Sequence, residues 1–291
     1  MNLIERLECP FCKNNDFKTL YKIKYCDEKL RKFISEYYKS NFLTKILENC
    51  IYEICECFNC SGLFQKYEPD ERLSDFLYDK IISPENSFEK KNDYLEKNRN
   101  KLKQDLLMIT SMPFKNKDSI KILEFGSGWG YWSKFMKSQS LNITTCEFSD
   151  SRHKHLLKNN INNIKYIDEI KDKFDFIYSE EVLEHVSSPL SILNKLTKLL
   201  KTNGYMFHRF PSSYNFKKKL NTKYTPGKDC AHPLEHLNIF NKKSFLEMCK
   251  INNLEICNSL KFKNQSLFSK IKIIKNNFSF NNILLENKKY I

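Results

Sequence analysis

Residues 120–131 read I-K-I-L-E-F-G-S-G-W-G-Y, and the rest of the chain is organised around them. Ile120, Ile122, Leu123 and Phe125 form a short apolar run of the kind that becomes a buried parallel strand. Gly126, Gly128 and Gly130 follow at once. The chain has six glycines in 291 residues, so three within five positions need a local cause. Glycine permits a tight turn and lets a ligand approach where a Cβ would stand. An apolar strand, G-x-G-x-G and then a helix-like stretch open a nucleotide-binding α/β unit. In the dinucleotide fingerprint G-x-G-x-x-G the last glycine falls where this chain has Tyr131. No G-K-[ST] follows, which excludes a Walker loop. Glu124 stands two residues before the first glycine. A carboxylate there repels phosphate and attracts an ammonium group, so the loop is expected to hold a ligand with a cationic end.

The pattern E-x-G-x-G-x-G resembles motif I of the class I S-adenosylmethionine (SAM) methyltransferases. Working outward, residues 131–138 are expected to be the first helix and residues 142–147 (N-I-T-T-C-E) the second strand. Ligands of open α/β sheets bind outside the carboxyl ends of strands. Glu147 ends the second strand and is expected to accept from ribose hydroxyls, with Phe148 covering the adenine face. Residues 151–160 read as a helix and 164–167 as a third strand, with Asp168 placed to meet the adenine amino group. Residues 174–178 (F-D-F-I-Y) read as strand four, 190–200 as a helix, and 205–210 as strand five after the turn at Asn203-Gly204. Strands alternating with helices predict a parallel, doubly wound, Rossmann-like sheet.

The resemblance to SAM-dependent methyltransferases extends through F-D-F-I-Y-S-E-E-V-L-E-H-V and L-L-K-T-N-G-Y-M-F, where Thr202 and Asn203 replace the family's usual Pro-Gly. It covers about residues 9–245. It implies the seven-stranded methyltransferase sheet and a SAM site formed by Glu124, Gly126, Ser127, Gly128, Gly130, Glu147, Phe148, Asp168 and Ser179. Trp129 and Trp132 lie in or beside the loop, where one of them is expected to line the pocket.

Eleven cysteines are present, and seven fall in the first sixty residues. Cys9-Pro10-Phe11-Cys12 and Cys57-Phe58-Asn59-Cys60 are two C-x-x-C knuckles, which together supply four thiolates for a closed, structural zinc site. Cys55 is an alternative to Cys57; Cys26 and Cys50 are spare. The 44 residues between the knuckles leave room for a helical insertion over 27–49. This region resembles the zinc-binding ribbon fused to many bacterial methyltransferases acting on sugars and glycans. Residues 1–68 are thus assigned to a zinc ribbon, 69–119 to a helical connector or lid, 120–260 to the methyltransferase domain, and 261–291 to closing strands or a tail. Within the connector, residues 88–110 read as a charged helix after a break at Ser83-Pro84.

No stretch of about 18 apolar residues is present to span a membrane, and the N-terminus has no apolar signal region, so a cytoplasmic protein is expected. The net charge of +14 is compatible with nucleic-acid binding, but the lysines are spread along the chain.

Methyl transfer from a sulfonium is an in-line displacement, dominated by positioning. A hydroxyl acceptor also needs a base. The candidates, in order, are His236, His232 and Glu181, with His185 in L-E-H-V able either to act as a base or to orient its loop. His208 and Arg209 end strand five, where alternation turns only one of them toward the pocket. Lys217, Lys218, Lys219, Lys223 and Lys228 are placed to meet a phosphate, as in a nucleotide-linked sugar. The expected activity is methyl transfer to a small-molecule hydroxyl, in surface-glycan or secondary metabolism. An RNA or protein methyltransferase, and a non-catalytic SAM-binding partner protein, are the alternatives. Radical SAM chemistry is excluded because its C-x-x-x-C-x-x-C cluster motif is absent.

Overall fold

The apolar run at the centre of the sequence forms strand β1, Lys121–Phe125, in a computed structural model that describes residues 1–82, 88, 93–114, 119–211, 213–221, 224–256 and 282–287. The chain divides into two units. One comprises Glu85–Val182, Leu193–Arg209 and Asn252–Ile291. Its sheet contains β1, β2 (Asn142–Cys146), β3 (Asn162–Ile164), β4 (Phe174–Glu180), β5 (Leu200–Arg209), β6 (Leu254–Ile256) and β7 (Asn282–Asn287), numbered within this sheet. The order is β6-β7-β5-β4-β1-β2-β3. β1 pairs in parallel with β2 and β4, β2 with β3, and β4 with β5. β7 runs antiparallel between β5 and β6, so part of 261–291 supplies a closing strand. This is the expected seven-stranded methyltransferase sheet. The chain moves from β1 to β2 and β3 on one side, and β4 and β5 lie on the other. The loop after β1 therefore sits at the switch point where α/β sheets bind ligands.

One side of the sheet packs Ile122, Phe176, Tyr178, Tyr205 and Phe207 against Leu102, Ile109, Trp132 and Met136. The helix Tyr131–Ser138 has the expected bounds. Three expectations shift. The third strand is Asn162–Ile164, and residues 167–169 form a 3-10 turn carrying Asp168. The Asn203-Gly204 pair makes an irregularity inside β5 rather than a turn before it. The described part of the connector helix is two pieces, Tyr94–Lys97 and Arg99–Ser111. The Ser83-Pro84 break and residues 261–281 lie outside the described residues.

The other unit comprises Met1–Pro84, Leu183–Ile192 and Phe210–Ile251. Its four-stranded antiparallel sheet runs in the order Asn238–Ile239, Leu63–Gln65, Ile51–Cys57, Phe17–Lys24. The expected helical insertion is present as Glu28–Tyr38 and Asn41–Ile46. Asp27 caps the first by accepting from the Lys29 N–H, and Leu30, Ile34 and Tyr38 recur at helical spacing to form its buried stripe. These side chains join Leu43, Tyr52, Ile54, Phe216, Leu220 and Leu234 in one core.

Candidate functional site

Gly126, Gly128 and Gly130 have φ of +73°, +57° and +70°. Their reasons differ. A Cβ on Gly126 would stand 2.4 Å from Val182 Cγ2, and one on Gly130 2.4 Å from Leu156 Cδ2; nothing lies within 4 Å of a Cβ on Gly128. The Gly126 N–H donates to the Cys146 carbonyl at 2.8 Å, tying the loop to the end of β2. Glu147, one residue beyond β2, is buried. It accepts from the Gly128 N–H at 2.8 Å and the Ser149 N–H at 3.0 Å, with Arg152 at 3.9 Å. The acid expected at the ribose thus also shapes the glycine loop. Phe148 is exposed beside it. Ser127 Oγ, Tyr131 Oη and Arg152 Nε are buried, with no hydrogen-bond partner among the described residues. Orphaned polar atoms and an open Gly128 position are what a polar ligand seated on the loop would complete.

Glu124 is buried and accepts from the Ser133 hydroxyl. Burial, reinforced by the nearby Glu180 and Glu147, pushes its carboxyl up to about 8. An ammonium group brought to it would reverse that shift. Ser179 is buried and bonded to His208 Nδ1 at 2.8 Å, so it closes a core contact. Burial pushes His208 down to about 4. Asp168 bonds Lys195 at 2.7 Å from its 3-10 turn. Trp132 lies in the core, stacked on Tyr178 with centroids 4.1 Å apart, while Trp129 stays on the loop beside His155. Glu181 is exposed, at φ +51°.

The sequence reading passed over a buried charge network in this unit. Asp105, on Arg99–Ser111, accepts from Arg209 Nη1 at 2.8 Å and from Trp132 Nε1 at 3.1 Å. Glu180, at the end of β4, accepts from Lys101 and from the Tyr178 hydroxyl. Burial alone would raise Glu180, but Lys101 and Arg209 outweigh it and hold the carboxyl below its ordinary value. Asp105 and Arg209 are 104 residues apart, so no local pattern links them. Paired acids in Y-S-E-E at a strand end were the available signal for Glu180.

In the other unit the two cysteine knuckles make matching turns. The Lys13 N–H donates to the Cys9 carbonyl and the Ser61 N–H to the Cys57 carbonyl, both at 2.9 Å, and Lys13 and Ser61 both have left-handed φ. The ligand atoms of Cys9, Cys12, Cys57 and Cys60 lie within 4.8 Å of one another. Cys9–Cys60 and Cys12–Cys57 are 3.5 and 3.6 Å apart. Tetrahedral zinc with sulfurs at about 2.3 Å puts them about 3.8 Å apart, so the four fit that geometry. Cys55 is not in this set. It points to Glu53, so Cys57 is the fourth member.

The same unit brings His185, His232 and His236 together, with ring centroids 4.9 Å (185–236) and 5.5 Å (232–236) apart. Gln65 Nε2 donates to the carbonyls of His232 and His236, and Asn238 Nδ2 to those of Leu183 and Val186, pinning both histidine-bearing turns. Burial lowers His232 to about 3 and also lowers His236; burial raises Glu235, bonded to Tyr38, to about 7. Two of the expected phosphate-binding lysines are paired internally, Lys217 with Glu56 and Lys219 with Asp229. Lys228 lies over the Tyr37 ring, and Lys223 falls outside the described residues. No helix among the described residues is long and apolar enough to cross a membrane.

A family model described as a methyltransferase domain matches residues 94–258. A ubiquinone biosynthesis O-methyltransferase from Actinobacillus pleuropneumoniae is 33% identical over 102 residues, covering 30% of this chain and 44% of that protein. One from Nitrosomonas europaea is 28% identical over 109 residues, covering 32% and 46%. The chain thus spans under half the length of these curated relatives. Among solved structures, the plantazolicin methyltransferase BpumL in complex with S-adenosylhomocysteine (SAH) is similar, with 14% identity, TM-score 0.52, and coverage of 74% of this chain and 94% of that one. At that identity the likeness speaks to fold. The chain belongs to the methyltransferase-domain family, and its α/β domain has the class I, SAM-dependent methyltransferase fold.

Proposed function

We propose that this chain catalyses SAM-dependent methyl transfer to a hydroxyl of a small molecule, a sugar or nucleotide-linked sugar, with structural zinc held by Cys9, Cys12, Cys57 and Cys60. The single observation that carries the reading is the glycine loop at the sheet's switch point, with Glu147 bonded to the Gly128 N–H. SAM supplies an electrophilic methyl group on a sulfonium. Glu147 takes the ribose hydroxyls, Glu124 the ammonium, and Ser127 the polar groups seated against the loop. Phe148 covers the adenine, with Asp168 at its amino group and Ser179 supporting the strand end. His236 is the first candidate for deprotonating the acceptor, followed by His232, Glu181 and His185. Oxygen as the acceptor atom is supported by the O-methyltransferase names of the curated relatives. The sugar rests on the likeness of the cysteine region to ribbons fused to glycan methyltransferases.

The net charge of +14 favours a second reading, methylation of RNA. Binding that falls steeply with salt would support it. The primary test is calorimetric titration of zinc-analysed protein with SAH, beside Glu147→Ala. Micromolar binding that is lost in the variant is expected; no binding by folded wild-type protein refutes the reading.

A further inference from the structure

The histidine-bearing turns carry a donor set distinct from the cysteines. Glu184, His185 and His236 each offer one ligand atom, and these atoms lie within 4.8 Å of one another. Glu184 and His185 are neighbours in L-E-H-V, while His236 comes from the turn before Asn238–Ile239. Asn238 holds the two segments in register: its N–H donates to the Glu184 carbonyl at 3.0 Å, and its side chain to Leu183 and Val186.

The tautomers decide what the rings present. His236 Nδ1 is 2.7 Å from the Asp229 carbonyl, and His185 Nδ1 is 3.0 Å from the Glu235 carbonyl. A carbonyl only accepts, so His236 carries its proton on Nδ1 and its lone pair on Nε2; His185 Nδ1 also lies 3.1 Å from the Tyr78 hydroxyl, and the same tautomer lets it donate to both oxygens. Donation of one ring N–H to a backbone carbonyl, with the other nitrogen turned to a common point, is how metal-binding histidines are oriented. Glu184 is 1% exposed, so its carboxyl is held away from solvent in the same unit as the two imidazoles.

We propose that Glu184, His185 and His236 form a second metal site, for a divalent first-row transition cation such as zinc or iron(II). Two histidines and one carboxylate suit these ions and leave positions open for an exogenous oxygen ligand. Three donors about 2.1 Å from one cation stand about 3.0–3.4 Å apart, so closure needs a shift of about 1 Å shared by three side chains. The site does not depend on the methyl-transfer reading. It does bear on it: a cation held by His236 and His185 takes both rings off the list of candidate bases and leaves His232 and Glu181.

The test counts metal without turnover. Full-length protein is loaded separately with zinc, iron(II), cobalt(II) and nickel(II), desalted, and analysed for metal per chain, beside Glu184→Gln, His236→Ala and Cys12→Ser. For at least one ion, wild type is expected to keep about one equivalent beyond the cysteine-bound metal. Glu184→Gln and His236→Ala lose it and retain the cysteine-bound ion, which also reports that they fold; Cys12→Ser shows the reverse loss. Histidine nitrogen NMR on the zinc-loaded wild type needs no variant: the Nε2 signals of His185 and His236 are expected to move while both rings keep Nδ1–H. No extra equivalent with any of the four ions, or one that leaves both rings unmoved, overturns the proposal. SAH binding is read independently, so this site and the methyl-transfer reading fail separately.

Discussion

On the proposed reading, in which Glu124 takes the ammonium of the cofactor, binding is expected to be coupled to release of a proton. Its carboxyl stands at about 8 against an ordinary 4.5, chiefly through burial. An ammonium group about 4 Å away contributes about 4 kcal/mol at an effective dielectric constant near 20. That equals about three pH units, so the carboxyl in the complex falls to about 5. The free protein then has to release a proton to bind, at any pH between about 5 and 8. The apparent dissociation constant for SAH is expected to tighten about fiftyfold from pH 6 to pH 8 and to level off above. Calorimetry in buffers of different ionisation enthalpy should show close to one proton released near pH 6.5, and Glu124→Gln should flatten the profile. The same residue sets a stability trend with a definite sign. Because the folded-state value is raised, the folded protein binds more protons than the unfolded chain between about 4.5 and 8. Stability without cofactor therefore falls as pH rises through that window, by at most about 5 kcal/mol, and Glu124→Gln outlasts wild type at pH 8 but matches it at pH 5. A flat wild-type binding profile, or a slope that survives in Glu124→Gln, refutes the coupling.

Three further outcomes follow from the geometry. Gly126→Ala meets Val182 at a left-handed φ and should lose about 2–5 kcal/mol in urea unfolding, whereas Gly128→Ala, with open space around it, should lose about 1 kcal/mol yet bind SAH poorly. Cys12→Ala, or treatment with a zinc chelator, should remove the cysteine-bound metal and lower the melting temperature by about 10 °C or more, read by metal analysis and calorimetry. Asp105→Ala removes the carboxylate bonded to Arg209, leaving it the Tyr178 hydroxyl and nearby Glu180, and should cost about 3 kcal/mol in denaturant unfolding, while Asp105→Asn should cost less by keeping an acceptor for Trp132 Nε1.

The parts of this fold legible in the sequence are those whose cause is local. β1 and the helix Tyr131–Ser138 were readable because burial imposes a period and the glycines punctuate it. The third strand was misplaced because Asn162–Ile164 is a polar edge strand. Its Asn163 faces Thr145 and the Glu147 carbonyl through hydrogen bonds, so no apolar alternation marks it. Cys55 and Cys57 lie two apart on one strand and share a face, so spacing alone left the choice open. The turn from Cys57 to Ser61 made it. The histidines at 185 and 236 were singled out individually as bases. Their convergence with Glu184 depends on Asn238 tying two distant turns, which no pattern announces.

The acids around the glycine loop explain why an α/β nucleotide site should here prefer a cation to a phosphate. Asp105 is matched by Arg209, and Glu180 by Lys101. Glu147 directs its oxygens to two backbone N–H groups. Glu124 has the opposite surroundings: burial and two like-charged neighbours hold its proton on, and only the Ser133 hydroxyl and backbone N–H oppose them. A pyrophosphate brought to this loop would add negative charge beside three carboxyl groups and raise Glu124 further. An amino-acid ammonium adds the positive charge that lets Glu124 ionise, while its carboxylate end and the ribose meet other groups. On the proposed reading the glycines make room for the ligand, and the acid two residues before them is what selects its charge.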